Sequence, residues 1–185
     1  LHTDALENAL LDVIARHETL RTLLIEQNEQ PCQSIIPVEQ VHFTLQRQLT
    51  DAAQLPQLLV QQCGHVFDLA HELPLRACLY RLNDNEHVLL LLIHHTAGDG
   101  GSLVPLMQDL SLAYRARLQA QAPVQPALDI QYADYALWQR ALLSNEQDPA
   151  GMFAQQLGYW QKQLASLPDE VTLAGDRPRP AHPVN

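Results

Sequence analysis

Basic residues are scarce in this chain: 11 lysines and arginines stand against 21 aspartates and glutamates over 185 residues, a formal net charge of -10. Such a surface repels phosphate backbones and anionic lipid, and the few arginines form no stripe, so neither nucleic acid nor membrane is an expected partner. Long apolar runs are also missing. The longest, Val88 to Ile93, is a strand's length and far below the roughly 20 residues that span a bilayer. Cysteine is limited to Cys32, Cys63 and Cys78, odd in number and widely spaced. That spacing fits no CxxC metal or redox motif and no disulfide framework, and leaves buried free thiols in a reducing cytosol as the expectation. An initiator methionine is absent, and Asp4, Glu7 and Glu18 interrupt any early apolar run. No signal peptide is expected, and the chain reads as cut from something longer. There is no internal repeat. What remains is a globular composition, 46% hydrophobic and 17% charged, with length for one well-buried domain rather than two.

Asp4 followed by Glu7 has the form of a capping box, and Leu6, Leu10, Val13 and Ile14 recur at helical spacing, so a helix is expected over residues 4 to 16. Strands are expected at Leu20–Glu26, Gln33–Ile36 and His42–Arg47, punctuated by Pro31 and Pro37. Asp51 opens a second helix through Leu55, Leu58, Leu59 and Cys63. Arg76–Leu82 and His87–His95 flank the polar cluster 83–86 and predict a β-hairpin. The second of these strands is apolar on both faces, which predicts a central place in a covered sheet. Ser102 is the expected N-cap of a helix through Leu103, Leu106, Met107, Leu110, Tyr114 and Leu118. Residues 119–130 read as a linker, and helical patterns return at Tyr132–Leu143 and Phe153–Leu164. The proline-rich tail from Pro168 to Asn185 reads as an extended connector. The mixture predicts an α/β fold, a sandwich of helices on a mixed sheet.

Chemistry concentrates where the apolar strand ends, in His94-His95-Thr96-Ala97-Gly98-Asp99-Gly100. Alternation along a strand sends His94 and His95 to opposite sides, so one faces a cavity and the other is packed. Gly98, Gly100 and Gly101 permit positive φ and close backbone approach, and the run enters a helix N-terminus, where N–H groups favour developing negative charge. A neutral imidazole beside backbone donors suits acyl transfer: the ring accepts a proton from an attacking amine and the donors steady an oxyanion. No serine or cysteine nucleophile stands within the run. A metal held by two histidines and a carboxylate is the competing reading. Alternation makes it hard for His94 and His95 to reach one ion, so no metal is expected.

The run resembles the HHxxxDG motif of nonribosomal peptide synthetase condensation domains. Arg16-His17-Glu18-Thr19-Leu20-Arg21-Thr22 resembles the family's RHExLR motif, Tyr132-Ala133-Asp134-Tyr135-Ala136-Leu137-Trp138 its YxDYAxW motif, and Asp176-Arg177-Pro178-Arg179-Pro180 its DRPRP segment. The resemblance implies a chloramphenicol acetyltransferase-like fold of two lobes with a tunnel between them. Residues 1–166 would form part of the N-terminal lobe, without the family's opening motif, and 167–185 a linker towards an absent C-terminal lobe. It implies amide formation between a donor acyl or peptidyl thioester and the amine of an acceptor aminoacyl thioester. Both would ride on phosphopantetheine arms of carrier protein domains, beside an adenylation domain in one cytoplasmic polypeptide, and the chain itself would bind no cofactor.

Within the resemblance, His95 is the residue expected to act on the amine, and Gly100 the backbone beside the thioester. His94 and Asp99 would support the loop, with Asp99 paired to Arg16, or else to Arg21. Such a buried pair, broken on one side, costs about 3–5 kcal/mol. Gly101 stands where the family has a large aromatic, which implies either a wider tunnel or a looser turn. Tyr132, Tyr135 and Trp138 are expected to pack, and Asp134 to cap. The DxxxxD of heterocyclising domains is absent, and the residues after Gly100 differ from those usual in epimerisation domains. A non-catalytic scaffold that binds carrier domains is the alternative, and the isolated chain is expected to be inactive.

Overall fold

The computed structural model describes residues 1–143 and 148–168. It divides into two compact units, Leu1–Ala136 and Leu137–Asn185. The DRPRP segment and the remainder of the expected connector lie outside the described residues.

The first unit begins with helix α1 (Thr3–Arg16), whose buried stripe is Leu6, Ala9, Leu10, Val13 and Ile14. The helix starts one residue before the expected box. His2, not Asp4, is its N-cap, and its Nδ1 accepts the Ala5 N–H at 3.2 Å. Asp4 and Glu7 are engaged elsewhere. Both carboxylates bond Arg47, and Glu7 also takes the Leu45 N–H at 3.0 Å. A tertiary partner thus outbids the local cap, and α1 is clipped to the segment that enters the sheet.

A short 3-10 turn at Glu18–Arg21 delays the first strand, so β1 runs Thr22–Gln27 and pairs antiparallel with β2 (Gln30–Ile35). Asn28 and Glu29 both have positive φ, 53° and 61°, the geometry of a two-residue hairpin turn that matches strand twist. Pro31 lies inside β2, which is tolerated because the ribbon has only two strands, both of them edges.

The second sheet joins β3 (Gln46–Leu49), β4 (Leu75–Arg81) and β5 (His87–Ile93) in the order β3-β4-β5, with β3 parallel and β5 antiparallel to β4. The expected hairpin is present. The expected central place of its second strand is not: β4 is central and β5 is an edge among the described residues. Apolarity reports covering of the two faces, not lateral position. Leu89, Leu91 and Ile93 pack on the main core, while Leu90 and Leu92 share the other face with Cys78. Helix α2 (Leu55–Cys63) lies by that other face, and Asp51 orders its approach by accepting the Ala53 and Gln54 N–H groups.

Helix α3 (Leu103–Leu118) packs along α1, and Leu106, Leu110 and Ala113 join the α1 stripe and Leu75, Ala77 and Leu79 of β4 in one core. Leu10 and Ile14 are fully buried there, each contributing about 1.5–3 kcal/mol of apolar burial. Asp12 fastens the two helices through a bidentate bridge to Arg117, at 2.6 and 2.7 Å. The three thiols are free, as expected, but only Cys78 is buried; Cys32 is half-buried and Cys63 exposed. Helix α4 (Tyr132–Leu143) has the expected bounds and opens with Asp134 accepting the Gln131 N–H at 2.9 Å. In the second unit, α5 (Met152–Leu164) carries an edge-to-face pair, Tyr159 on Trp160. Tyr132, Tyr135 and Trp138 are exposed, and the rings of Tyr132 and Tyr135 meet at 5.8 Å. No helix among the described residues is long and apolar enough to cross a membrane.

Candidate active site

β5 ends at Ile93, two residues short of the expected His95, so the two histidines stand in the turn that follows and reach different surroundings there. His95 lines an open pocket of about 480 Å³ with Leu20, Ile93, Ala97 and Leu106. His95 is exposed, and its ring makes no hydrogen bond to the protein among the described residues. His94 is turned away. Its N–H donates to Pro74 O at 2.9 Å, its Nδ1 lies 2.9 Å from Thr96 Oγ1, and its ring meets Phe67 edge to face. His65 also meets Phe67 edge to face and bonds Glu72, so a chain of edge-to-face rings runs from Glu72 to His94.

The turn after the histidines is built on Asp99. Its Oδ1 accepts the Ser102 N–H at 3.0 Å and the Ser102 hydroxyl at 2.8 Å, while Ser102 Oγ accepts the Asp99 N–H at 3.0 Å. This reciprocal pair is a capping box on the 3-10 turn Gly100–Ser102 that leads into α3. Asp99 therefore caps the 3-10 turn, while Ser102 stands at the expected N-cap position of α3 but makes no cap bond to that helix and serves as the third residue of the box. Bonds from the Ser102 side chain and backbone hold the Asp99 carboxyl below its ordinary value. None of the glycines has positive φ; the first and third are needed for space instead. A Cβ at Gly98 would stand 3.3 Å from Ser102 Cβ, and one at Gly101 3.3 Å from Asp99 Oδ1. At Gly100, which lines the pocket, the space where a Cβ would stand is open.

The arginines do not pair with Asp99. Arg21 is buried and bonds Ile36 O at 2.7 Å and Glu18 at 3.4 Å, pinning the turn to the end of β2. Arg16 reaches a carboxylate, but that of Asp109 on α3, with Nε 3.0 Å from Oδ2. The expectation named the right kind of pair and the wrong acid. Asp99 is exposed and committed to its own turn, whereas Asp109 lies on the α3 face that packs on α1.

Asp109 collects more than Arg16. His17 Nε2 stands 2.7 Å from its Oδ2, and Gln125 Nε2 donates to its Oδ1 at 2.7 Å. Burial alone would raise the pKa of Asp109; the bonds from His17, Gln125 and Arg16 outweigh it and hold the carboxyl below its ordinary value. Arg16 also donates to Pro126 O, and Gln131 bridges the Glu18 N–H and Arg16 O. Sequence reasoning missed Asp109, Gln125 and Gln131, and treated His17 only as a motif letter. His17 lines the same pocket as His95. Among the described residues no three histidine, cysteine or acidic side chains cluster as a metal site.

A mixed sheet between helices, with a histidine at a strand end facing a glycine turn and a helix start, defines a chloramphenicol acetyltransferase-like fold carrying the HHxxxDG site. The chain belongs to the condensation domain family, whose model matches residues 1–184. It is 52% identical over 179 residues to CymA of Salinispora arenicola, named as a nonribosomal peptide synthetase. It is 43% identical over 178 residues to a dimodular nonribosomal peptide synthase of Bacillus subtilis. These matches cover 97% and 96% of this chain but only 2% and 8% of those proteins. The X-domain from teicoplanin biosynthesis, solved in complex with OxyB, superposes with a TM-score of 0.89 at 36% identity, over 99% of this chain and 40% of that one.

Proposed function

We propose that this chain forms part of the amide-forming site of a longer nonribosomal peptide synthetase. Residues 1–166 contribute to the first lobe of the domain, and 167–185 lead to a second lobe that closes the pocket. The amine of an acceptor aminoacyl thioester attacks the carbonyl of a donor acyl or peptidyl thioester; the new C–N bond replaces the C–S bond, the thiol leaves, and the amine gives up a proton. His95 accepts that hydrogen. Gly100 offers backbone to the developing oxyanion. Carrier domains bring both substrates on phosphopantetheine arms, an adenylation domain supplies the acceptor, the synthetase is cytoplasmic, and the chain holds no cofactor of its own. The observation that supports this most is the free His95 imidazole, exposed in the pocket beside Gly100, while His94 and Asp99 are tied into the loop.

The test is single-turnover amide formation by the intact synthetase with loaded carriers. His95→Ala is expected to lower the rate by roughly 10²–10⁴, the range of a lost general base, with its melting temperature nearly unchanged because the exposed ring makes no hydrogen bond among the described residues. An unchanged rate would refute the role. One second reading is a non-catalytic scaffold, and the likeness to an X-domain solved in complex with OxyB supports its protein-binding part. A wild-type synthetase that binds loaded carriers but forms no amide would establish it.

A further inference from the structure

We infer that His17 is a second substrate-binding imidazole of this pocket, held by Asp109 through Nε2 and offering Nδ1 to an N–H of the amine-bearing acceptor. The inference rests on the reading of the pocket as an amide-forming site and adds a residue to it. Among the described residues no hydrogen bond orients the His95 ring, whereas His17 is held at both its backbone and its ring. Its N–H donates to Val13 O at 3.0 Å, its carbonyl accepts the Leu20 N–H at 3.1 Å, and Nε2 is 2.7 Å from Asp109 Oδ2. An ionised carboxylate only accepts, so Nε2 carries the hydrogen, and in the neutral form of the ring the lone pair lies on Nδ1. That nitrogen meets no partner among the described residues, and the side chain keeps 24% of its surface open. No lysine or arginine lines the pocket, and its one carboxylate, Asp99, is occupied by Ser102. The side chains left for a guest are His17, His95 and the Thr19 hydroxyl, none of them a fixed charge, and the lone pair on His17 Nδ1 suits a ligand that brings an N–H and little negative charge. An aminoacyl thioester has that character.

A purely structural role would make His17 a clip between the end of α1 and α3, and two substitutions separate the roles. His17→Gln can extend an N–H to Asp109 but has nothing at the Nδ1 position. His17→Asn has a polar atom near Nδ1 but falls short of Asp109. Both are made in the intact synthetase, with amide formation followed against the concentration of a loaded acceptor carrier added in trans, and with binding of S-glycyl-pantetheine followed by calorimetry. For His17→Gln the expected result is an unchanged melting temperature, an acceptor KM and an S-glycyl-pantetheine Kd raised about 10-fold, the weight of one hydrogen bond, and a kcat within about twofold. For His17→Asn it is a lower melting temperature with KM nearly kept. The inference is overturned if His17→Gln matches wild type in KM and Kd, or if KM rises only together with loss of stability. A wild-type protein that makes no amide would defeat the functional reading alone; the Kd comparison still decides His17, and no binding, or equal binding by the two proteins, overturns it.

Discussion

Asp109→Ala is expected to lower the melting temperature by roughly 6–12 °C, more than any exposed acidic substitution in the chain. The carboxylate accepts from Arg16, His17 and Gln125 at 3.0, 2.7 and 2.7 Å. Removing one side of a buried charge pair costs about 3–5 kcal/mol because the other charge stays behind. Here the three side chains are not sealed: Asp109, Arg16 and His17 keep 14%, 18% and 24% of their side-chain surface. Arg16 also retains Pro126 O. Water therefore relieves part of the penalty, and the bonds share one acceptor and do not add, so about 3 kcal/mol is the working value. At about 2–4 °C per kcal/mol for a domain of this size, that gives the stated shift. Asp109→Asn keeps an acceptor and should lose about half as much. Differential scanning calorimetry of both variants, with Asp99→Ala beside them, decides the matter. If Asp99→Ala melts as early as Asp109→Ala, the assignment of the structural pair to Asp109 is wrong.

The same network predicts acid sensitivity. Asp109 titrates below its ordinary 3.8 in the folded protein, so the unfolded chain binds the extra proton first. The stabilisation is full above the unfolded value and is lost as pH falls through the folded one. Urea midpoints measured from pH 6 down to pH 2 should converge for wild type and Asp109→Ala at the acid end; a constant gap would refute the linkage. Thiol labelling with a chromogenic disulfide should modify exposed Cys63 rapidly, Cys32 more slowly and buried Cys78 only on unfolding. Rapid labelling of Cys78 in the folded protein would contradict the packing of β4.

Periodicity made most of the fold legible, because each buried stripe is a local property. The α1 stripe, the β4–β5 hairpin, α3 and the bounds of α4 follow from where apolar residues recur. Lateral order did not follow, because β5 is apolar for reasons of covering and says nothing about which strand lies beside it. The start of α1 did not either: Asp4 and Glu7 satisfy a capping rule locally, but Arg47 lies 40 residues from Glu7 and outbids it. In the site, His94, His95 and the glycine turn were legible from composition at the end of an apolar strand. The convergence of Arg16, His17 and Gln125 on Asp109 depends on how α1 meets α3, which no local pattern states.

A signal for Asp109 was nevertheless present. Leu106, Leu110 and Ala113 mark the buried face of α3, and Asp109, three after the first and four before the last, borders that face. A carboxylate there loses hydration and requires a donor, which the end of an apposed helix can supply. Asp99, by contrast, precedes Ser102 by three residues at a helix start, the spacing of a reciprocal cap, and so has its partner within its own turn. Two acids ten residues apart thus answer to different physics: one is satisfied locally and shapes the loop, the other is satisfied at a distance and locks the helices. Activity lost on changing Asp99 therefore reports the shape of the turn that carries Gly100. Activity lost on changing Asp109 reports the seat of His17. Melting temperature and acceptor KM, measured together, tell these apart, because the first substitution leaves the α1–α3 contact intact and the second does not.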